Sequence, residues 1–243
     1  MLKEITNSYS KNLSLARKSA KQSIKYEISC FDKNSKPWTS YDSGIDKYQF
    51  RFRHLLTERG FINLVNKKNQ VALDTFSSLS FVRELASKTK NLKGGISLSL
   101  VDFRSDQQKY SDSSRNIFQL MKSDVFNSKE WIGEVKNFLQ NNGKEKFDLI
   151  TCLPQAGWTI KNEDGKDINP PIELLWTVTN TLWQLLANDG AMFIEYPYGY
   201  YTEVFNWINR AAKKCSLEFS SDDKSIAVRI DKKGSKLKQF PFT

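Results

Sequence analysis

The sequence is short of the residues on which much enzyme chemistry runs. Its 243 residues include one histidine, His54, so multi-histidine metal sites are excluded. Any Ser-His-Asp or Cys-His relay would have to pass through that single imidazole. Three cysteines, Cys30, Cys152 and Cys215, stand far apart with no C-x-x-C pair, which leaves no zinc knuckle and no disulfide framework. They read as reduced thiols, with Cys152 a small buried residue of an apolar strand. No apolar run approaches the ~18 residues of a membrane span. The first twenty residues carry Lys3, Glu4, Lys11, Arg17 and Lys18 around no apolar stretch, so a secretory signal is not expected. The expectation is a cytoplasmic protein in a reducing compartment, with neither metal nor membrane. G-x-G-x-x-G is absent too, which argues against a Rossmann dinucleotide enzyme.

What is present is a globular balance, 39% hydrophobic and 26% charged, in a chain long enough for one large domain. The formal net charge of +10 favours an anionic partner: nucleic acid, a nucleotide or an acidic protein surface. The excess is spread over the N-terminus (Lys3, Lys11, Arg17, Lys18, Lys21, Lys25), over Arg51, Arg53, Arg59, Lys67 and Lys68, and over Lys232, Lys233, Lys236 and Lys238. A solvated basic surface accounts for the same numbers.

Residues 1–27 carry apolar positions at helical spacing and predict one or two short peripheral helices. A loop-rich stretch follows over 32–44, with Pro37 and Trp38, and then an amphipathic helix from Ile45 to Arg59 stopped by Gly60. The first 68 residues thus read as a helical and loop extension, and 69–243 as the main domain. From Val71 the texture becomes short apolar runs alternating with helical stretches, the pattern of a parallel sheet with crossover helices. Strands are predicted over 70–74, 96–102 (entered through Gly94-Gly95), 116–121, 147–153 and 191–195. Helices are predicted over 79–90, around Trp131 to Leu139, over 172–187 (closed at Asp189-Gly190) and over 202–214. Strands at 216–220 and 225–230 would pair as a late hairpin. This is a doubly wound α/β sheet with helices on both faces.

In such a sheet ligands bind outside the carboxyl ends of the strands. Three aspartates fall there: Asp74 after the first strand, Asp102 after the second and Asp124 after the third. An ionised carboxylate closing the second strand can accept both hydrogen bonds of a ribose diol.

This set resembles class I S-adenosylmethionine-dependent methyltransferases over about residues 70–231. The family's first strand, acidic residue and glycine loop correspond to Val71-Ala72-Leu73-Asp74-Thr75-Phe76-Ser77-Ser78-Leu79-Ser80. Its ribose-binding acidic residue looks like Asp102, and its adenine-side acidic residue looks like Asp124 in Lys122-Ser123-Asp124. The stretch Leu185-Leu186-Ala187-Asn188-Asp189-Gly190 before Ala191-Met192-Phe193-Ile194 is similar to the family's long helix, turn and fifth strand. The resemblance implies a Rossmann-like sheet, S-adenosyl-L-methionine as cofactor, and a pocket shaped by Asp74, Phe76, Ser78, Asp102 and Asp124. The chain departs from the family in carrying Phe76, Ser78 and Ser80 where glycines are usual, and glycine there allows backbone to approach the cofactor.

The acceptor would be read from the loop after strand four. Amino-methylating relatives carry Asn/Asp-Pro-Pro-aromatic, whereas this chain has Leu153-Pro154-Gln155-Ala156-Gly157-Trp158. Pro154, Gln155 and Glu195 are the candidate catalytic positions, Glu195 because a carboxylate closing strand five could orient the acceptor or act as a base. Trp158, Tyr196 and Tyr198 are the candidate stacking surface for a flat substrate, the last two within the aromatic run 196–201. Two readings lead, beside a third, a nucleotide-binding enzyme of related architecture but other chemistry. One is a methyltransferase acting on nucleic acid or another anionic acceptor. The other is a cofactor-less subunit of the same fold that holds nucleic acid or a protein partner.

Overall fold

A computed structural model of the chain describes residues 44–75, 80–98, 116–120, 128–153, 160–161, 167–168, 172–197, 201–221 and 225–242. In chain order these form α1 (Ile45–Arg51), a 3₁₀ turn (Arg53–Leu55), α2 (Phe61–Leu64), β1 (Gln70–Thr75), α3 (Ser80–Lys88) and β2 (Leu92–Leu98). Then come β3 (Ile117–Leu120), α4 (Ser128–Asn141), β4 (Phe147–Cys152), β5 (Ile160–Lys161), β6 (Asp167–Ile168) and α5 (Ile172–Leu185). β7 (Leu186–Pro197), α6 (Tyr201–Ala212), β8 (Ser216–Ser221) and β9 (Ser225–Asp231) complete them.

Seven strands make one sheet in the order β3-β2-β1-β4-β7-β9-β8, and β5 pairs only with β6. From β3 to β7 the neighbours are parallel, while β9 is antiparallel to both β7 and β8. This is the mostly parallel α/β sheet with a late antiparallel hairpin that the run lengths predict. Alternate side chains of a strand point to opposite faces, and both faces are covered. Val71, Leu73, Ile150, Met192, Ile194 and Val228 pack with α4, α5 and α6. Ala72, Leu149, Phe193 and Ala227 meet α1, α2 and α3 on the other side. All six residues of β1 are consequently buried, as a central strand covered on both faces requires.

Three boundaries differ from the sequence expectation, each because packing overrides a local signal. The helix expected over 45–59 ends at Arg51, and Phe52 turns (φ −104°, ψ 13°) into the space beside Phe61 and Phe193, with ring centroids 6.3 and 5.4 Å away. Gly60, at φ 58°, then makes the turn into α2 that a Cβ residue resists. Ile45, Tyr48, Phe52, Leu55, Phe61 and Val65 all belong to the core cluster on the sheet, so residues 45–65 form an integral layer and the expected boundary at 68/69 runs through a shared core.

Gly94 and Gly95 lie inside β2, not before it. A Cβ on Gly95 would collide with Val82 Cγ1, and one on Gly94 would sit 2.6 Å from the Asn116 carbonyl oxygen. Their absence of side chain lets α3 and the chain entering β3 lie flush against β2. The turn expected at Asp189-Gly190 is an irregularity within β7: Phe147 faces Leu186 and Leu149 faces Ala191, so 187–190 oppose Asp148 alone.

The chain's end is bound to the helices of the first face. The indole nitrogens of Trp176, Trp183 and Trp207 donate to the carbonyls of Phe240 (2.9 Å), Leu237 (3.3 Å) and Pro241 (2.8 Å). Among the described residues, no helix is long and apolar enough to cross a membrane, and no group of three or more His, Cys, Asp or Glu is placed to hold a metal.

Candidate functional site

The site follows from strand order. From β1 the chain passes outward to β2 and β3, then returns to β4 and continues to β7 on the other side. The carboxyl ends of β1 and β4 therefore flank the switch point where ligands of doubly wound sheets bind. Thr75 pairs with Leu98 on one side and Cys152 on the other, so β1, β2 and β4 end level.

Just below that rim lies a lateral polar row, Ser97, Asp74 and Thr151, paired in register and fully buried on the face covered by α1–α3. An interior carboxylate has to be hydrogen-bonded, and two hydroxyls serve Asp74. Thr151 Oγ1 donates to Oδ1 at 2.6 Å, and the Tyr48 hydroxyl lies 3.0 Å from both oxygens. Tyr48 is held there by stacking on Phe81, with centroids 4.2 Å apart at 24°. Beside the row, Thr75 donates to the Thr151 carbonyl at 3.3 Å. Burial pushes the Cys152 thiol far above its ordinary range against the opposing Thr75 hydrogen bond, and Asp74 adds to the rise. Cys152 is a packing residue, as its place in an apolar strand implies.

The second carboxylate of this face is Glu195, near the carboxyl end of β7 and 7% exposed. Its Oε1 accepts a hydrogen bond from the Arg51 guanidinium, and the same Arg51 Nη2 donates to Ser225 Oγ at 3.1 Å, where β9 begins. One face of α1 thus brings Tyr48 to Asp74 and Arg51 to Glu195.

Of the residues expected at the site, the structure describes Asp74, Glu195 and Tyr196. Asp74 lies at the carboxyl end of β1, fully buried, with its oxygens engaged by Tyr48 and Thr151. Glu195 shares that face and is tied to Arg51. The expectation for Tyr196 needs correction. Its side chain is fully buried on the opposite face, its hydroxyl 2.7 Å from Thr179 Oγ1 and its ring edge-on to Trp207 at 5.5 Å. Burial pushes its phenol well above the usual range, and no ring face is left for a substrate. Phe76, Ser78, Asp102, Asp124, Pro154, Gln155, Trp158 and Tyr198 lie outside the described residues, as do Cys30 and the helices expected over 1–27.

Tyr48 and Arg51 are the residues that sequence reasoning missed. Their partners lie 26 and 144 positions away. The available signal was their i, i+3 spacing, which puts two polar-tipped side chains on one side of an amphipathic helix.

No protein-family profile matches the sequence, and no curated protein is similar to it in sequence. Solved structures do match. A protein described as a ribosomal RNA methyltransferase from Plasmodium falciparum superposes with a TM-score of 0.50 at 17% identity, over 79% of this chain and 95% of that one. Human methyltransferase-like protein 13, solved with S-adenosylhomocysteine, gives 0.49 at 9% identity over 78% and 82%. The N-methyltransferase NodS from Bradyrhizobium japonicum, solved with the same ligand, gives 0.46 at 14% identity over 88% and 98%. The first of these, with the strand order and the terminal hairpin, establishes the class I methyltransferase fold.

Proposed function

We propose that the chain is an S-adenosylmethionine-dependent methyltransferase whose acceptor is a nucleic acid. The observation that carries the reading is the level ending of β1, β2 and β4 at the switch point of a class I sheet. A crevice so placed takes the adenosyl group, and the buried row Ser97-Asp74-Thr151 gives it a hydrogen-bonded floor. Within this reading Asp102 and Asp124 hold the ribose and adenine, Asp74, Phe76 and Ser78 shape the pocket, and Glu195 borders the acceptor side through Arg51. Pro154, Gln155, Trp158 and Tyr198 belong to segments that would meet the acceptor.

The cofactor supplies a methyl group already activated on a sulfonium, so the protein's main task is alignment of the acceptor. The +10 charge supports an anionic acceptor, and the Plasmodium falciparum neighbour described as acting on ribosomal RNA is consistent with it. Calorimetric titration tests the reading. S-adenosylmethionine should bind the native chain and bind Asp102→Ala at least ten-fold more weakly; unchanged affinity in the variant would contradict the assignment.

A second reading is favoured by one feature. Both described carboxylates at the strand ends are engaged by α1, Asp74 by Tyr48 and Glu195 by Arg51, which is how a cofactor-less scaffold of the same fold would be locked. Under it the titration shows no heat at millimolar S-adenosylmethionine, while labelled RNA still binds in a salt-dependent way.

A further inference from the structure

Among the described residues two large apolar side chains are exposed, and the more exposed is Phe50, at 61%. It sits on α1 with Lys47 three positions before it, Arg51 next to it and Arg53 after it. The Arg53 guanidinium lies 4.6 Å from the centre of the Phe50 ring. Arg53 is itself oriented, because its Nε donates to His54 Nε2 at 3.1 Å. The neighbouring Arg51 reaches Glu195 and Ser225, which places this surface beside the carboxyl ends of the strands.

An exposed phenylalanine in water is unfavourable, and positive charge borders this one: Arg53 lies over the ring and Lys47 stands one turn earlier on α1, while Arg51 is paired with Glu195. Partial burial, and then the charge of Arg51, lower the Lys47 pKa from the ordinary lysine value. An anionic partner with flat apolar faces covers the ring and meets the positive charge beside it. We propose that Phe50, with Lys47 and Arg53, is the platform on which a single-stranded nucleic acid acceptor docks. One base stacks on the face of Phe50 away from the Arg53 guanidinium, which covers the other face, and the adjoining phosphates lie along Lys47 and Arg53. Stacking of a base on an aromatic ring is tolerant of sequence, and the phosphate contacts make binding salt-dependent. A single strand carries a planar base and a phosphate in every nucleotide, which matches an exposed ring bordered by positive charge on a chain of net charge +10; an acidic protein surface is the competing outcome of the test.

This inference rests on the reading of the acceptor as nucleic acid. The test uses the full chain, a fluorescein-labelled fifteen-nucleotide single-stranded RNA and a duplex of the same length, with anisotropy read at two salt concentrations. The expected result is tighter binding of the single strand, affinity falling with salt, a loss of about ten-fold or more in Phe50→Ala, and recovery in Phe50→Trp. S-adenosylmethionine affinity, measured by calorimetry on the same samples, should be equal in the native chain and Phe50→Ala. RNA binding indifferent to Phe50, confined to the duplex, or absent while an acidic protein competitor binds the same surface would overturn the platform. Absence of S-adenosylmethionine binding in the native chain would instead overturn the methyltransferase reading, and the two failures are read out separately.

Discussion

The two faces of the sheet are built by different rules. On the face of α4, α5 and α6, the strands present Val71, Leu73, Ile150, Ile194 and Val228, and fully buried Trp131, Trp183 and Trp207 fill the layer. Its polar groups are few and satisfied locally, like the three indoles that donate to the carbonyls of the tail. On the face of α1–α3 the same strands carry a polar row of Ser97, Asp74 and Thr151, with Glu195 further along, and α1 supplies the side chains that satisfy it. The first face is a stability core. The second combines core packing with a polar row near the carboxyl ends of the strands, and the difference teaches that α1 serves that row as well as the fold.

The largest effect should come from breaking the apolar face. Trp207→Ala removes a fully buried indole that edges onto Tyr196 and Phe240 and bonds the tail. It should lower unfolding free energy by about 3–5 kcal/mol in urea titration. Breaking the other face at Arg51 comes next. Arg51→Ala leaves the nearly buried Glu195 without its guanidinium and should cost about 2–3 kcal/mol, somewhat less than a fully buried pair because Arg51 keeps some exposure. Replacing both by methionine should recover most of that loss, which a double-mutant cycle reads directly.

Tyr48→Phe deletes one donor to the buried Asp74 without changing the ring stack on Phe81, and should cost about 1–2 kcal/mol by the same titration. Another effect is confined to alkaline pH. Burial, with a lesser push from Lys146, lowers the Lys232 ammonium to about 8 from 10.5. Because the unfolded chain keeps that proton to higher pH than the folded one, stability should rise between pH 8 and 10.5. Below about pH 8 this dependence vanishes, and Lys232→Met should flatten the slope relative to the native chain. At the bottom of the series, Lys67→Ala removes an exposed pair with Asp189 and should leave the urea midpoint unchanged.

Much of the fold was legible because its signals are local. Short apolar runs marked β1, β4 and β9, and the helical stretch expected over 172–187 marked α5. The interruptions were harder. Gly94-Gly95 read as an entry to β2 because glycine usually breaks strands, and only the proximity of Val82 and Asn116 explains their place inside it. Phe52 ends a helix whose polar and apolar pattern continues beyond it, since two aromatic rings distant in sequence receive it.

The positions of Asp74 and Glu195 near strand ends were legible because strand ends can be counted, and their partners were not. Tyr48 and Arg51 stayed hidden because the pairs they make cross from a segment that sequence alone assigns to an extension. Tyr196 was misread for the reason opposite to Glu195: adjacent residues of a strand face opposite sides, and a loop-like aromatic run conceals where β7 stops.

Under the proposed function the ends of β1 and β4 hold an adenosyl group between them. A crystal structure of the chain grown with S-adenosylhomocysteine tests it most directly. The expected result is the nucleoside lying over Thr75 with its ribose hydroxyls on Asp102, while Asp74 stays bonded to Tyr48 and Thr151. Ligand bound elsewhere, or a side chain such as Phe76 filling that crevice in its presence, would contradict the account.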